Sequence, residues 1–220
     1  MRLWRIAGQL MALGLVLSGC GLPTKMAHKA EGTLLPGPIG TDQAEAQRLI
    51  QSGAPRVAVT MLDRGDGFLM VKAGERDGVS RWRSIDNVQL YTRGGLLIGT
   101  RGLGGDDLMT ADPGGVLALA LAGQAGQIRR IETHLDGDRQ TAVGRFSCAV
   151  TPKGPSNVPV PEGPARVANR LDEICQPDPA TRAAGAKAFA NTYWILDGRV
   201  LQTVQHISDK VGRAQILYIP

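Results

Sequence analysis

Cys20 is the cysteine whose surroundings point most clearly to covalent chemistry. It ends the tetrapeptide Leu17-Ser18-Gly19-Cys20, in which a leucine and two small residues precede the thiol. Small residues let a peptidase reach the bond before Cys20, whose thiol is alkylated with diacylglycerol before the new amino group is acylated. The tetrapeptide matches the lipobox of bacterial lipoproteins and predicts lipidation at Cys20. The alternative is a plain secretory signal with an incidental cysteine.

The residues before the lipobox favour the lipoprotein interpretation. Arg2 and Arg5 form a positively charged start, and Ile6 to Leu17 is uncharged and mostly apolar. A membrane-spanning helix needs about 20 apolar residues, so this shorter stretch is typical of a secretory signal. We therefore predict a signal peptide over residues 1–19. Residues 20–40, which carry three prolines, are predicted to be the lipidated cysteine and a flexible tether.

The predicted location is the periplasmic face of the outer membrane, with the lipid anchor as the contact to that membrane. The residue after Cys20 is Gly21, whereas an Asp at that place is typical of lipoproteins retained in the inner membrane of enteric bacteria. Removal of the signal peptide lowers the formal net charge from +5 to +3, because two arginines are lost. This small surplus and the compartment exclude a nucleic acid as partner.

Cys148 and Cys175 remain once Cys20 is used. An even pair in an oxidising compartment most simply forms a disulfide. The bridge would contribute about 3.5 kcal/mol in the chain-entropy model. The alternatives are two buried free thiols or a metal site, although no CxxC motif or nearby histidine cluster supports a metal.

No sequence motif indicates an enzyme. The histidines are His28, His134 and His206, and neither an HExxH nor a GxSxG motif occurs. Carboxylate pairs for glycoside hydrolysis could be drawn from Asp106, Asp107 and Glu132, but any chain with 20 acidic residues offers such pairs. We therefore predict a protein that is not an enzyme and that uses no cofactor and no metal.

Two further motifs are predicted to be turns. Residues 102–108 (GLGGDDL) lack the Lys-Ser/Thr of a P-loop and the spacing of an EF-hand, so we predict a turn with a helix cap. Arg64-Gly65-Asp66 is the tripeptide of some adhesion ligands, but it lies within the sequence DRGDG between two strand-like segments. We predict that it forms a hairpin turn.

The elements that must position these residues are mostly strands. Residues 41–220 form one predicted domain, and the aromatic content of 4% argues against a platform that stacks bases or sugar rings. Alternation and turn signals predict strands over residues 57–62, 68–72, 82–91, 96–100, 128–135, 140–150, 193–196, 200–207 and 214–219.

Helices and a loop fill the remaining segments of the prediction. A short helix is expected from about Asp42 to Gly53, and a second one over residues 113–125, where alternating leucines leave a strand as the alternative. The five prolines of residues 151–164 predict a loop. Ala165 to Ile174 is predicted to be an amphipathic helix with Val167, Leu171 and Ile174 on one face and Cys175 at its end. Ala180 to Ala190 is a further candidate helix.

Several segments resemble one lipoprotein family. These are the strand–glycine–strand segment 84–108 with its Thr-x-Gly-Leu-x-x-Asp-Leu ending, the Phe-x-Cys of residues 146–148, the second cysteine segment 171–175, Asn191-Thr192-Tyr193-Trp194, and Gln205 after a Gly-x-Val. In order and spacing they are similar to the YjbF/GfcB family, the group 4 capsule polysaccharide lipoproteins, over roughly residues 55–218.

The resemblance implies both a fold and a biological setting. The implied fold is mainly β, of the α+β type: a large antiparallel meander sheet curled into an open barrel, with a few helices packed on it. The implied protein is an outer-membrane lipoprotein encoded with exopolysaccharide or capsule secretion genes and without established catalytic residues. The resemblance also implies the partners: other exopolysaccharide-export proteins and the polysaccharide itself.

Tyr193, Trp194 and Gln205 are the candidate contacts to a ligand or partner. Aromatic rings and an amide could hold a sugar, but adjacent strand residues face opposite sides, so one of the two rings is expected in the core. Two functions then compete. The first is a non-enzymatic accessory in exopolysaccharide secretion. The second is a carrier or receptor that holds an amphiphile in a half-open barrel, which requires a cavity lined by aliphatic side chains.

Overall fold

The computed structural model describes residues 48, 51–104, 107–135, 140–161 and 163–219. Among these residues lie twelve strands and two short helices, joined by turns and bends. The strands are β1 Arg56–Met61, β2 Asp66–Arg76, β3 Val79–Arg83, β4 Gln89–Arg93, β5 Leu96–Arg101, β6 Asp107–Asp112, β7 Gly126–Leu135, β8 Thr141–Val158, β9 Arg166–Pro177, β10 Phe189–Leu196, β11 Arg199–Ser208 and β12 Gly212–Ile219. The helices are α1 Val116–Ala122 and α2 Pro179–Ala183.

One antiparallel sheet contains all twelve strands, in the order β5-β4-β3-β2-β1-β12-β11-β10-β9-β8-β7-β6. It consists of two meanders, β1–β5 and β6–β12, joined where β1 pairs with β12. The two edge strands lie close together: the hydroxyl of Thr100 on β5 accepts a 3.0 Å hydrogen bond from the backbone N–H of Leu108 on β6. The sheet is therefore nearly closed into a barrel, and the mainly β fold predicted from the sequence is confirmed.

Side chains that point inward fill much of the barrel. One buried cluster surrounds Val59, Met61 and Met70, and a second surrounds Leu171 and Tyr193. Inward residues recur at every second position of a strand, which is the alternation on which most strand predictions rest. Residues 136–139, between β7 and β8, lie outside the described residues, but the strands predicted over 128–135 and 140–150 are both confirmed.

Helix α1 confirms the helical prediction for the segment after Asp112, with a later start. The helix begins at Val116, and its amino-terminal cap is Gly115, with a positive φ of 88°. Val116 and Ala120 face the second cluster, beside Leu171 and Tyr193. Gly114 has a φ of 59°, and a Cβ there would lie 1.7 Å from the carbonyl oxygen of Arg129, so only glycine fits between the helix and β7.

The predicted helix cap after residue 104 is wrong. Residues 102–104 form a bend, but residues 107–112 form strand β6, which pairs with β7. The segment supplies one edge of the barrel rather than the start of a helix. Its Leu108 is buried in the first cluster, and burial of this side chain favours a strand at the barrel edge over a helix start.

The predicted loop over residues 151–164 is also wrong for its first half. Strand β8 continues to Val158 and pairs with β9 along this whole stretch, with an irregularity between Pro152 and Gly154. On its other side β8 pairs with β7 only as far as Val150. Proline lacks an N–H donor and is tolerated at the edge of a sheet, which explains why these prolines do not end the strand.

Two helix predictions before and after Cys175 need correction. Residues 166–177 form strand β9, so Cys175 lies within a strand and not at a helix end. Val167 and Ile174, predicted to be buried together, are 60% and 54% exposed, whereas Leu171 is buried. The candidate helix over residues 180–190 is reduced to the five residues of α2, and β10 begins at Phe189.

Little of the amino-terminal prediction falls on described residues. The signal peptide, Cys20, the tether and most of the short helix after Asp42 lie outside them. Gln51 is helical, and the N–H of Ser52 donates a 2.9 Å hydrogen bond to the carbonyl of Arg48. Within the part of the chain that the structure describes, no helix is both long enough and apolar enough to cross a membrane.

Candidate functional site

A buried ionic network lies inside the barrel between β7 and β9. Arg130 and Glu132 are neighbouring inward residues of β7, and Glu173 is an inward residue of β9; each side chain is at most 1% exposed. Nε of Arg130 donates a 2.7 Å hydrogen bond to Glu132, and its Nη1 donates a 3.4 Å hydrogen bond to Glu173. Buried charges are costly unless they are paired and hydrogen-bonded, and this arrangement places one guanidinium between two carboxylates.

Glu173 connects this ion pair to β10 and β11. Its Oε2 accepts hydrogen bonds of 2.6 Å from the amide of Asn191 and 2.6 Å from the hydroxyl of Tyr193. The amide oxygen of Asn191 accepts a 2.8 Å hydrogen bond from the backbone N–H of His206 on β11. The Asn-x-Tyr spacing thus places both side chains on the inner face of β10. Through Glu173 and the amide of Asn191, hydrogen bonds link β9, β10 and β11.

The pKa values of the network residues reflect both burial and the contacts just described. Burial alone would lower the pKa of Arg130, but nearby Tyr193, Glu173 and Glu132 raise it above its ordinary value. Burial would raise the pKa of Glu132, but hydrogen bonds from His134 and Arg130 hold it below its usual range. For Tyr193, burial and the adjacent Glu173 raise the pKa well above 10.0. At neutral pH, Arg130 and Glu132 are therefore charged and Tyr193 is a neutral donor.

The network reaches the surface at the end of the barrel that carries the β7–β8, β9–β10 and β11–β12 connections. A cleft of about 240 Å³ opens there, lined among others by Glu132, His134, Phe146, Phe189 and His206. Nε2 of His134 lies 3.3 Å from Oε2 of Glu132. The ring of His206 stacks on Phe189 with centroids 4.6 Å apart, and Phe146 meets Phe189 edge-on at 4.9 Å.

His206 lines both this cleft and a neighbouring one of about 430 Å³. Its Nε2 lies 3.6 Å from Oδ1 of Asp209, whose other oxygen lies 3.3 Å from Nζ of Lys187. Burial lowers the pKa of His206, and His134 adds to that lowering, whereas Glu132 and Asp209 oppose it. The two clefts thus offer ionic groups, imidazoles and an aromatic surface at one end of the barrel.

The Arg64-Gly65-Asp66 tripeptide forms the β1–β2 turn, as predicted. The guanidinium of Arg64 donates to both carboxylate oxygens of Asp66 at 3.1 Å and to the carbonyl of Leu103 at 2.9 Å. These bonds hold the arginine against its own turn and against the 102–104 bend, which is the arrangement expected of a structural turn.

The three candidate contact residues are not brought together. Tyr193 and Gln205 point into the barrel and are buried, whereas Trp194 is half-buried on the outer face. The indole N–H of Trp194 donates to the hydroxyl of Ser156 at 3.3 Å, and the guanidinium of Arg170 lies 5.9 Å from the ring centroid. Gln205 donates a 3.1 Å hydrogen bond to Thr203. One ring in the core and one outside is the arrangement that strand alternation predicts.

The structure joins Cys148 to Cys175 by a disulfide between neighbouring strands, with Cα atoms 4.0 Å apart. The two cysteines and Glu173 are also the only set of three ligating side chains near one another among the described residues, and both sulfurs are already bonded to each other. The bridge packs against Phe146 and Phe189, which line the 240 Å³ cleft.

Of the acidic and histidine candidates, Glu132, His134 and His206 meet at this cleft, a convergence that the sequence analysis missed. Asp106 and His28 lie outside the described residues. The only sequence signal was that His134 and His206 each stand near the end of a predicted strand, which does not reveal that two distant strands finish side by side.

Comparisons with known proteins show the family by one route and the fold by another. The family model described as group 4 capsule polysaccharide lipoprotein gfcB, YjbF matches residues 39–218. A solved structure of the hypothetical lipoprotein YmcC from Escherichia coli (K12) shares the fold, with a TM-score of 0.65 and 20% identity, covering 81% of this chain and 90% of that one. No curated protein matches the sequence. The chain belongs to the YjbF family of group 4 capsule polysaccharide lipoproteins.

Proposed function

We propose that this protein is an outer-membrane lipoprotein that faces the periplasm and acts as a non-enzymatic accessory in exopolysaccharide or capsule secretion. Membership of a capsule polysaccharide lipoprotein family supports the process. The structural observation that carries the non-enzymatic role is the buried network: Arg130, Glu132, Glu173 and Tyr193 bind one another inside the barrel, and of the two Glu173 oxygens Oε1 has no partner among the described residues. Groups that bind each other at these distances serve to hold strands together.

The filled interior also favours the accessory over the amphiphile carrier. A carrier needs an aliphatic cavity with an open mouth, but two clusters of buried side chains and helix α1 occupy the barrel within the described residues. The clefts at the barrel end are lined by charged and aromatic residues. Open clefts that carry charged groups and aromatic rings suit a protein partner or a hydrated polymer rather than an acyl chain.

The anchor is proposed from the lipobox at Cys20. Cys20→Ser removes the thiol that diacylglycerol alkylates, so we expect an unprocessed precursor that incorporates no labelled palmitate. Ser18→Ala is the matched control, because it keeps a small residue in the lipobox and should be processed normally. Palmitate still entering the Cys20→Ser variant would refute lipidation at this residue.

A gene deletion tests the proposed role directly. We expect less exported polysaccharide, with its linkages and chain length unchanged, and full recovery on expression of the wild-type chain. Glu132→Gln, His134→Gln, His206→Gln, Asp106→Asn and Asp107→Asn variants should then affect export only as far as they affect protein abundance. A variant with normal abundance that abolishes export and alters linkage or length would make the protein an enzyme and overturn the proposal.

A further inference from the structure

Arginines are concentrated on the outer face of strands β3 and β4. Arg81 and Arg83 alternate with the buried Trp82 on β3, and Arg93 follows the buried Thr92 on β4. Because alternate residues of a strand share a face, all three guanidinium groups point away from the core, and all three residues are exposed. The register places Arg93 opposite Val79 and Arg81 opposite Tyr91, so the cations are staggered rather than face to face.

The acidic residues beside this surface do not neutralise it. Glu75 accepts hydrogen bonds from Lys72 and Ser80, and Asp77 pairs with Arg76. Within the part of the chain that the structure describes, Arg81, Arg83 and Arg93 form no ion pair with a carboxylate. Their positive charge is therefore available to an external anion.

Two of these arginines, Arg81 and Arg93, line a concave surface, and Arg83 lies beside it on the same face of β3. Arg81, Tyr91 and Arg93 border a cleft of about 520 Å³, which the β2–β3 turn around Asp77 closes on one side. The hydroxyl of Tyr91 donates a 2.8 Å hydrogen bond to Gln89, which fixes the ring beside the cleft. A guanidinium group binds a carboxylate with two parallel hydrogen bonds, and a tyrosine ring offers an apolar surface beside a polar group.

We propose that this surface, formed by Arg81, Arg83, Tyr91 and Arg93, binds an acidic polysaccharide through its uronate carboxylates. The inference rests on the proposed role in polysaccharide secretion and names the ligand class. Arg81 and Arg83 are two residues apart on one strand, a separation of about 6.6 Å, which suits carboxylates repeated along a chain. The concave shape suits a polymer strand rather than the plane of a membrane.

The test compares two triple variants of the full lipidated chain in detergent micelles. Arg81→Gln, Arg83→Gln and Arg93→Gln remove the proposed surface. Arg129→Gln, Arg166→Gln and Arg199→Gln remove the same charge from exposed positions elsewhere on the barrel. The probes are polygalacturonate, neutral dextran, and glycerol phosphate, the soluble headgroup of phosphatidylglycerol. We expect the first variant to bind polygalacturonate at least about tenfold more weakly, and the second to bind like the wild type.

Added salt should weaken wild-type binding, because it screens interactions between exposed charges. Dextran should not bind, because it carries no carboxylate. Arg93→Glu is a second variant that should reduce binding more than Arg93→Gln does. The proposal is overturned if the wild type does not bind polygalacturonate, if both triple variants behave alike, or if glycerol phosphate binds through these arginines and the polymer does not. Failure of the gene deletion to affect export would instead refute the proposed function, whatever the binding result.

Discussion

The hydroxyl of Tyr193 donates a 2.6 Å hydrogen bond to Oε2 of Glu173, diagonally across two neighbouring strands inside the barrel. Both side chains are fully buried. The same oxygen accepts from Asn191 and lies 3.4 Å from Nη1 of Arg130. Glu173 therefore has three donors on one oxygen, and its charge is compensated within the barrel rather than by solvent.

Removing the Tyr193 hydroxyl should destabilise the fold. Tyr193→Phe leaves the ring in place but takes one donor from a buried carboxylate, so we expect a loss of about 1–3 kcal/mol in the free energy of unfolding, measured with urea. Tyr91→Phe is the control, because its hydroxyl binds Gln89 at the half-buried outer surface. Equal effects of the two substitutions would contradict a special role for the buried bond.

Arg130 should matter far more to stability than an exposed arginine in a salt bridge. Arg130→Met leaves Glu132 and Glu173 buried without their cation, which should cost about 3–5 kcal/mol of unfolding free energy. Arg213→Met breaks the exposed 2.7 Å pair with Asp63 and should cost about 0–1 kcal/mol. Urea unfolding of both variants measures the difference. The cost of Arg130→Met should shrink at acid pH, where the stranded Glu132 carboxylate becomes protonated; a cost that stays constant would argue against this cause.

Strand alternation was a sound guide where the inner face is apolar. In β1, Val57, Val59 and Met61 are all buried, and the sequence predicted that strand correctly. In β9 the inward positions include Leu171, Glu173 and Cys175, so the inner face mixes apolar side chains with a charged one. The apolar residues Val167 and Ile174 are exposed there, and their helical spacing with Leu171 misled the prediction.

The buried network could not be predicted from the sequence for a related reason. Arg130, Glu132 and Glu173 look like ordinary surface charges, and Glu173 lies 43 residues from Arg130 along the chain. Only the pairing of β7, β8 and β9 places them side by side. By contrast, the disulfide needed only a count of cysteines and a compartment, and it was predicted without knowledge of the strands.

Stability should fall as the pH falls from about 7.5 to about 5.5, because of His206. Burial lowers its pKa in the folded protein, so the unfolded chain, with a histidine pKa near 6.5, binds the proton first. The groups facing it are His134, Glu132 and Asp209. The pKa of Glu132 is below its usual range, so its stabilising contribution is lost only at lower pH. Urea unfolding at both pH values should show a smaller difference for His206→Gln than for the wild type. An unchanged difference would assign the effect to another group.

Loss of the disulfide should lower stability while leaving the same fold. Cys148 and Cys175 are 27 residues apart. Their bridge lowers the entropy of the unfolded chain and thereby adds about 3–4 kcal/mol to the free energy of unfolding in the chain-entropy model. We expect Cys148→Ala with Cys175→Ala to unfold at lower urea concentration by that amount, and the wild type under reducing conditions to match it. The double variant should be insensitive to the reductant. If reductant destabilises the double variant as much as the wild type, or if mass spectrometry finds two free thiols in the native wild type, the bridge is not the source of the stability.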